Sequence, residues 1–312
     1  MTTPASTFRP RALAPRLWTY QAERFPLVKH GGLILVFSGG EAVFGALVRG
    51  VAIDWAAVAT AAIVCLTLFA QLRISDEHKD RWEDARWRPE RPVPRGLVSL
   101  GELRAVAGAG ALVQLAATLA LDPRLLPVLA VVWGWMALMS VEFFAPRWLK
   151  ARPVIYLVTH MAVMPLIALY AVACGARATV LLSPSVGAFL AMAFLNGVVL
   201  EIARKSWALE DERPGVDTYS RLWGPRGAAL AVAIAATGAS MLAMTVQSSL
   251  GTARAFHLVV AAGAAVLIAA AVDYARRPRT ASASRLESAS GLFVLAIYLG
   301  VAWAPAVWRA WS

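Results

Sequence analysis

Nine stretches of this chain are apolar for long enough to cross a bilayer as helices, a crossing that takes roughly 20 residues. They lie near 27–48, 51–72, 104–121, 124–145, 153–174, 179–203, 227–247, 254–274 and 288–308. Backbone polar groups in hydrocarbon must be satisfied internally, which leaves helices and closed β-barrels. The two-residue alternation of a barrel strand is missing here, so helices are expected. Composition agrees, with 59% hydrophobic and 16% charged residues among 312, where a soluble domain carries about a quarter charged. The fold class expected is an all-α polytopic membrane protein. Residues 27–308 form one transmembrane domain behind a basic segment at 1–26, with no separate soluble domain. That segment is polar and rich in Pro and Thr rather than signal-like, so insertion rests on the first apolar helix. The two cysteines, Cys65 and Cys174, both fall in apolar runs. Two thiols make neither a disulfide framework nor a zinc site.

The net charge of +11 reflects membrane orientation and not a nucleic-acid partner. With the N-terminus inside, the inside segments are 1–30, 72–104, 146–152, 204–226 and 275–287, and they hold 25 of the 30 Lys and Arg residues. Arg49, Arg124, Arg177, Arg254 and Arg309 make up the rest. This asymmetry follows the positive-inside rule and predicts nine helices with a cytoplasmic N-terminus. Segment 275–287 reads as a plain basic linker. The two long inside loops, 73–103 and 204–226, are rich in acids as well as bases.

In the first loop, Asp76, Asp80 and Asp84 fall at i, i+4 and i+8, and Glu77 borders them. If the second helix continues past the membrane, they share a face. Like charges so placed repel by roughly 0.2–0.5 kcal/mol per pair in water. A bound cation reverses the sign, and hard Mg²⁺ takes carboxylate, phosphate and water oxygens. Arg88, Arg91 and Arg95 follow on a stretch stiffened by Pro89, Pro92 and Pro94, and guanidinium forks match phosphate oxygens. A solvated helix end with internally paired charges is the bland alternative. The regular acid spacing, the Pro-Arg alternation and a second similar loop weigh against it. That second loop opens with Glu201 at a helix end, then Arg204 and Lys205, the acids Glu210, Asp211 and Glu212, and Gly215-Val216-Asp217-Thr218. A carboxylate at the end of an apolar helix faces the interior or a metal. Arg204 and Lys205 serve equally as diphosphate ligands or as the mark of the helix end.

These two loops resemble the UbiA family of membrane prenyltransferases. Its first motif is roughly N-D-x-x-D-x-x-x-D, followed after a gap by R-P-x-P-x-G. Asp76 stands where the family has Asn, Glu77 replaces the first Asp, and Asp80 and Asp84 match the others. Arg91-Pro92-Val93-Pro94-Arg95-Gly96 matches the second element in register. The second loop is similar to the family's second acidic motif. The resemblance implies a nine-helix bundle that moves an isoprenyl group from a prenyl diphosphate to a small or lipophilic acceptor. It implies Mg²⁺ held by Asp76, Glu77, Asp80, Asp84, Glu201, Glu210 and Asp211, with Asp80, Asp84 and Asp211 as catalytic acids. Arg88, Arg91, Arg204 and Lys205 then hold the diphosphate, and the active-site loops face the cytoplasm. A terpene cyclase of the same family is the alternative within enzymes. A transporter or a non-catalytic scaffold is the alternative outside them, although transporters usually place their sites near the midplane.

Glu41, Gln114, Glu142, His160 and Asn196 interrupt the apolar runs. Glu142 and Asn196, near the inside ends of the fourth and sixth helices, are candidates for the acceptor pocket. Gln114 and His160 read as interhelical hydrogen-bonding residues. Trp133, Trp135, Tyr156, Trp303 and Trp308 read mostly as interfacial anchors.

Overall fold

The computed structural model describes residues 12–179, 182–251 and 255–311. The first eleven residues of the basic segment lie outside them, as does Arg254. The chain forms α1 (Leu13–Arg24), α2 (Gly32–Arg49), α3 (Trp55–Lys79), α4 (Arg81–Trp87), α5 (Leu100–Leu121) and α6 (Leu126–Ser140). After them come α7 (Pro146–Lys150), α8 (Pro153–Met161), α9 (Val163–Gly175) and α10 (Pro184–Arg204). The last four are α11 (Tyr219–Ser249), α12 (Ala255–Arg276), α13 (Thr280–Tyr298) and α14 (Ala304–Trp311). Among the described residues, nine helical segments are long and apolar enough to cross a membrane. α8 and α9 together make one of them, and α13 with most of α14 makes another. The bundle closes on itself, because α13 packs against both α2 and α10.

Local chemistry sets the helix starts. The Asp54 side chain accepts from the Ala56 N–H ahead of α3, and Ser99 with Glu102 forms a reciprocal capping box ahead of α5. These side chains satisfy amide groups that have no partner inside the helix. The capping box starts α5 at Leu100, four residues before the apolar run begins. At its far end α6 stops at Ser140, where the apolar run continues to 145, because Glu142, Phe143 and Phe144 turn into left-handed backbone. The expected basic linker at 275–287 is largely helical, since α13 begins at Thr280. Ser282 Oγ accepts from the Arg279 N–H, and Arg285 pairs with Asp273 of α12 at 2.6 Å.

The centre of the bundle is built on close backbone approach. A Cβ on Gly45 of α2 would strike the Val172 carbonyl, and one on Gly175 of α9 would strike the Ala42 carbonyl. Small residues at such crossings substitute van der Waals contact for a hydrophobic drive that lipid does not supply. Around them Phe44 stacks on Phe189 at 4.0 Å. Leu112, Leu230, Ile234 and Leu258 face outward and exposed, as lipid contact requires.

Polar groups in the spans are mostly bonded. Gln114 donates to Thr67 Oγ1 and Gln71 Oε1 and accepts from Trp133 Nε1 at 2.6 Å, which ties α3, α5 and α6 together. Trp135 and Trp303 donate to backbone carbonyls of Thr159 and Val36. These three indoles therefore serve as interhelical ties. Buried Glu41 accepts from the Tyr298 hydroxyl at 3.2 Å. Cys65 and Cys174 are free and buried.

Candidate active site

The two acidic loops meet at one end of the bundle. α3 runs past the apolar region but only to Lys79, short of the continuation through Asp84 that a shared acid face requires. Asp80 then breaks the helix (φ −86°, ψ 3°), and α4 restarts at Arg81. The break divides the carboxylates. Asp76 is half-exposed, Asp80 is partly buried in a cavity wall, and Glu77 and Asp84 are fully buried.

Both buried acids of the first loop have basic partners. Arg91 Nη1 donates to both Asp84 oxygens at 2.9 and 2.7 Å, and Arg88 adds a third contact at 2.7 Å. Glu77 accepts from Arg24 Nε at 2.6 Å, with Arg73 3.7 Å away. Arg24 belongs to α1, part of the basic N-terminal segment. α1 lies across the first loop, burying Tyr20 against Ile74, Val98 and Leu103 and pairing Glu23 with Arg95 at 2.7 Å. Nothing in residues 13–24 alone announces this docking; Tyr20 between Arg16 and Arg24 is its only trace in the sequence.

The second loop is similarly tied. Glu201 pairs with Arg204 at 2.6 Å and Lys205 at 2.9 Å. Glu212 accepts from the Thr218 and Ser220 hydroxyls, both at 2.6 Å, which folds the loop over the start of α11. Arg213 reaches Glu90 of the first loop at 2.8 Å. Gly215, at φ +71°, lies so close to Trp87 that a Cβ would overlap the indole. Left-handed backbone costs a β-branched residue roughly 1–2 kcal/mol before any clash. Gly215→Val is therefore expected to separate the loops, seen as faster amide hydrogen exchange over 205–218.

A cavity of about 200 Å³ opens between the loops. The first loop and α4 contribute Asp80, Glu83 and Arg88; the second loop contributes Lys205, Asp217 and Thr218; Glu142, Lys150 and Tyr156 form the third wall. Of the residues singled out in the sequence, Asp80, Arg88, Lys205 and Glu142 meet here. Glu210, Asp211 and Arg204 open instead on a separate cavity of about 500 Å³ against α13, where Thr280 donates to Asp211 at 2.7 Å. Asp76, Glu77, Asp84, Arg91, Glu201 and Asn196 line neither cavity. Glu83 and Lys150 are additions from the structure, and Asp217 and Tyr156, which the sequence offers in other roles, join them in the cavity wall. Asp217 sits in the Gly215–Thr218 element, and Lys150 lies in a stretch whose cations read as orientation signals. Tyr156, which reads as an anchor, faces the cavity.

The donor set fits a hard divalent cation. Asp80 has no side-chain hydrogen bond or ion pair among the described residues. Burial first, and the neighbouring Asp76 charge second, hold its carboxyl above the ordinary value. Such a carboxylate is under-compensated, and a cation relieves it. No three His, Cys, Asp or Glu side chains gather closely enough to hold a metal by themselves among the described residues. One or two carboxylates completed by phosphate oxygens and water is the pattern Mg²⁺ favours. Desolvation works against the Lys150 ammonium, but the hydrogen bond to Glu83 and the charges of Glu83, Glu142 and Asp80 hold its pKa above the usual value.

A sequence model of the UbiA prenyltransferase family matches residues 40–297. The chain belongs to this family. Its match begins beside Glu41 and ends in α13, so it takes in both acidic loops. No curated protein sequence is a significant match. Among solved structures, the apo structure of a UbiA homolog from Aeropyrum pernix K1 superposes with a TM-score of 0.64 at 18% identity, covering 88% of this chain and 98% of that one. A structure described as digeranylgeranylglyceryl phosphate synthase superposes with a TM-score of 0.59 at 17% identity, covering 92% and 99%. At these identities the likeness is one of fold. Among the described residues, this UbiA-family chain thus has the nine membrane-spanning segments that the resemblance implies.

Proposed function

We propose that this UbiA-family chain is a Mg²⁺-dependent membrane prenyltransferase, moving an isoprenyl group from a prenyl diphosphate to a small or lipophilic acceptor. The observation that carries the reading is the inter-loop cavity, where an under-compensated carboxylate, Asp80, stands among Arg88, Lys150 and Lys205. Asp80, with Asp217 across the cavity, would hold Mg²⁺. The ion supplies charge neutralisation for the departing diphosphate. Arg88, Lys150 and Lys205 bind and orient the diphosphate oxygens, fixed donors for charge that develops as the allylic carbon–oxygen bond lengthens. Asp84 and Glu77 take positioning roles, holding Arg88, Arg91 and the strap formed by α1. The apolar interior of the bundle takes the isoprenyl tail and excludes water from the allylic cation. The positive-inside count sets the loop-bearing end in the cytoplasm, which is where soluble metal ions and diphosphate are exchanged.

The test is incubation of purified protein in lipid nanodiscs with Mg²⁺ and prenyl diphosphates of several lengths, with and without candidate acceptors, reading products by mass. Mg²⁺-dependent diphosphate release with a prenylated acceptor is the expected result, lost on chelation by EDTA. A cyclised hydrocarbon released without acceptor would move the assignment to a terpene cyclase. No consumption of any prenyl diphosphate would end it.

A further inference from the structure

The turn that ends α6 is strained in a way that aims one side chain. Glu142, Phe143 and Phe144 hold φ of +47°, +52° and +58° in succession. A Cβ crowds the neighbouring carbonyl in that region, so three such residues without a glycine persist only where their surroundings fix them. Here they are fixed. The Phe143 ring packs edge-on against Trp135 at 5.3 Å and His160 at 6.1 Å. His160 stacks on Tyr156 at 3.9 Å and donates from Nδ1 to the Tyr156 carbonyl at 2.9 Å. Glu142, itself buried, is left facing the inter-loop cavity, where the Tyr156 hydroxyl donates to its Oε1 at 3.4 Å.

The charges of the cavity wall restrict what can sit beside this pair. Its acids are Asp80, Glu83, Glu142 and Asp217, and its bases are Arg88, Lys150 and Lys205. Each base already contacts a carboxylate: Arg88 meets Asp84 at 2.7 Å, Lys150 meets Glu83 at 2.9 Å and Lys205 meets Glu201 at 2.9 Å. A diphosphate draws on all three. No further cation among the described cavity-lining residues remains to receive a second anion next to Glu142.

We propose that Glu142 is the general base of this site and that the acceptor is an uncharged hydroxyl compound, a phenol or an alcohol. This deepens the prenyl-transfer reading and rests on it. The allylic carbon–oxygen bond breaks, and its electron pair leaves with the diphosphate. The acceptor hydroxyl oxygen supplies a lone pair to the allylic carbon, and its proton passes to the Glu142 carboxylate, directly or through the Tyr156 hydroxyl. Release of that proton to water resets the base. Tyr156 orients the carboxylate, and the strained turn holds both in the cavity wall.

The experiment uses the full chain in nanodiscs with Mg²⁺. A non-ionising thiolo analogue of the preferred prenyl diphosphate reports binding of the donor. Matched acceptor pairs, a neutral phenol or alcohol against its carboxylated or phosphorylated counterpart, report turnover. The neutral member of each pair is the expected substrate. Glu142→Gln is expected to keep analogue binding while kcat falls roughly 100-fold or more, the usual contribution of a positioned base. Tyr156→Phe, which leaves the stack on His160 in place, is expected to lower kcat less and also to keep analogue binding. Preference for the anionic acceptor, or wild-type kcat in Glu142→Gln, would overturn the proposal and leave prenyl transfer standing. Failure of the wild-type protein to bind the analogue would remove both. Donor consumption to a hydrocarbon, with no acceptor used, would remove the base.

Discussion

Asp80→Ala is expected to cut Mg²⁺-dependent consumption of prenyl diphosphate on the order of 10³-fold while leaving thermal unfolding in detergent unchanged. A metal clamp on a departing phosphate is worth several kcal/mol, and each roughly 1.4 kcal/mol is a factor of ten in rate. Stability is spared because Asp80 has no side-chain hydrogen bond or ion pair among the described residues, and its carboxyl is destabilised by burial and by Asp76. Removing a partly buried carboxylate that makes no direct ion pair breaks no bond of the fold and relieves its repulsion with Asp76. Binding of Mn²⁺ as a paramagnetic stand-in, followed by electron spin resonance with the thiolo analogue present, separates metal loss from donor loss. Wild-type turnover in Asp80→Ala would sink the placement of the metal.

The second large effect runs the other way. Asp84→Ala is expected to destabilise the protein by roughly 3–5 kcal/mol, the range for breaking a buried ion pair from one side. Asp84 is 2% exposed at its side chain, while Arg88 and Arg91 are 12% and 20% exposed. Its removal leaves two guanidiniums facing each other with no counter-charge, and burial already lowers the pKa of Arg91, with the Asp84 hydrogen bond its main support. The readout is the midpoint of thermal unfolding in detergent. Activity is expected to fall further than the folded fraction alone requires, because Asp84 positions Arg88, while residual folded Asp84→Ala should still bind Mn²⁺. An Asp84→Ala protein of unchanged stability that has lost Mn²⁺ would return Asp84 to the metal. The two variants thus distinguish acids that sit four residues apart and look equivalent in the sequence.

That equivalence marks the boundary between what the chain announces and what its fold decides. Apolar run length alone defines the spans, because a bilayer demands roughly 20 helical residues whatever the neighbours are. The Pro-Arg stretch 91–96 and the acid spacing of the first loop suffice to indicate the family, since both are local patterns in register with each other. Gln114 as an interhelical tie follows from the cost of an unbonded amide in lipid.

The division of labour among carboxylates was not legible. Whether Asp76, Asp80 and Asp84 share a face depends on the helix continuing through Asp80, and the chain breaks there. Which acid meets an arginine depends on α1, some fifty residues earlier, reaching Glu77 through Arg24. The Glu210 and Asp211 pair turns toward Thr280 for a similar reason, because α13 starts earlier than its apolar run and presents a hydroxyl and an amide. Asp217, Lys150 and Tyr156 join the cavity from three separate segments, a meeting that no spacing records. The sequence by itself determined a nine-span helical membrane protein with two charged loops, because hydrophobicity and local motifs are properties of contiguous residues. Only the tertiary structure decided which charges neutralise one another and which face the cavity, because Coulomb pairing depends on distances of a few ångströms between segments far apart in the chain.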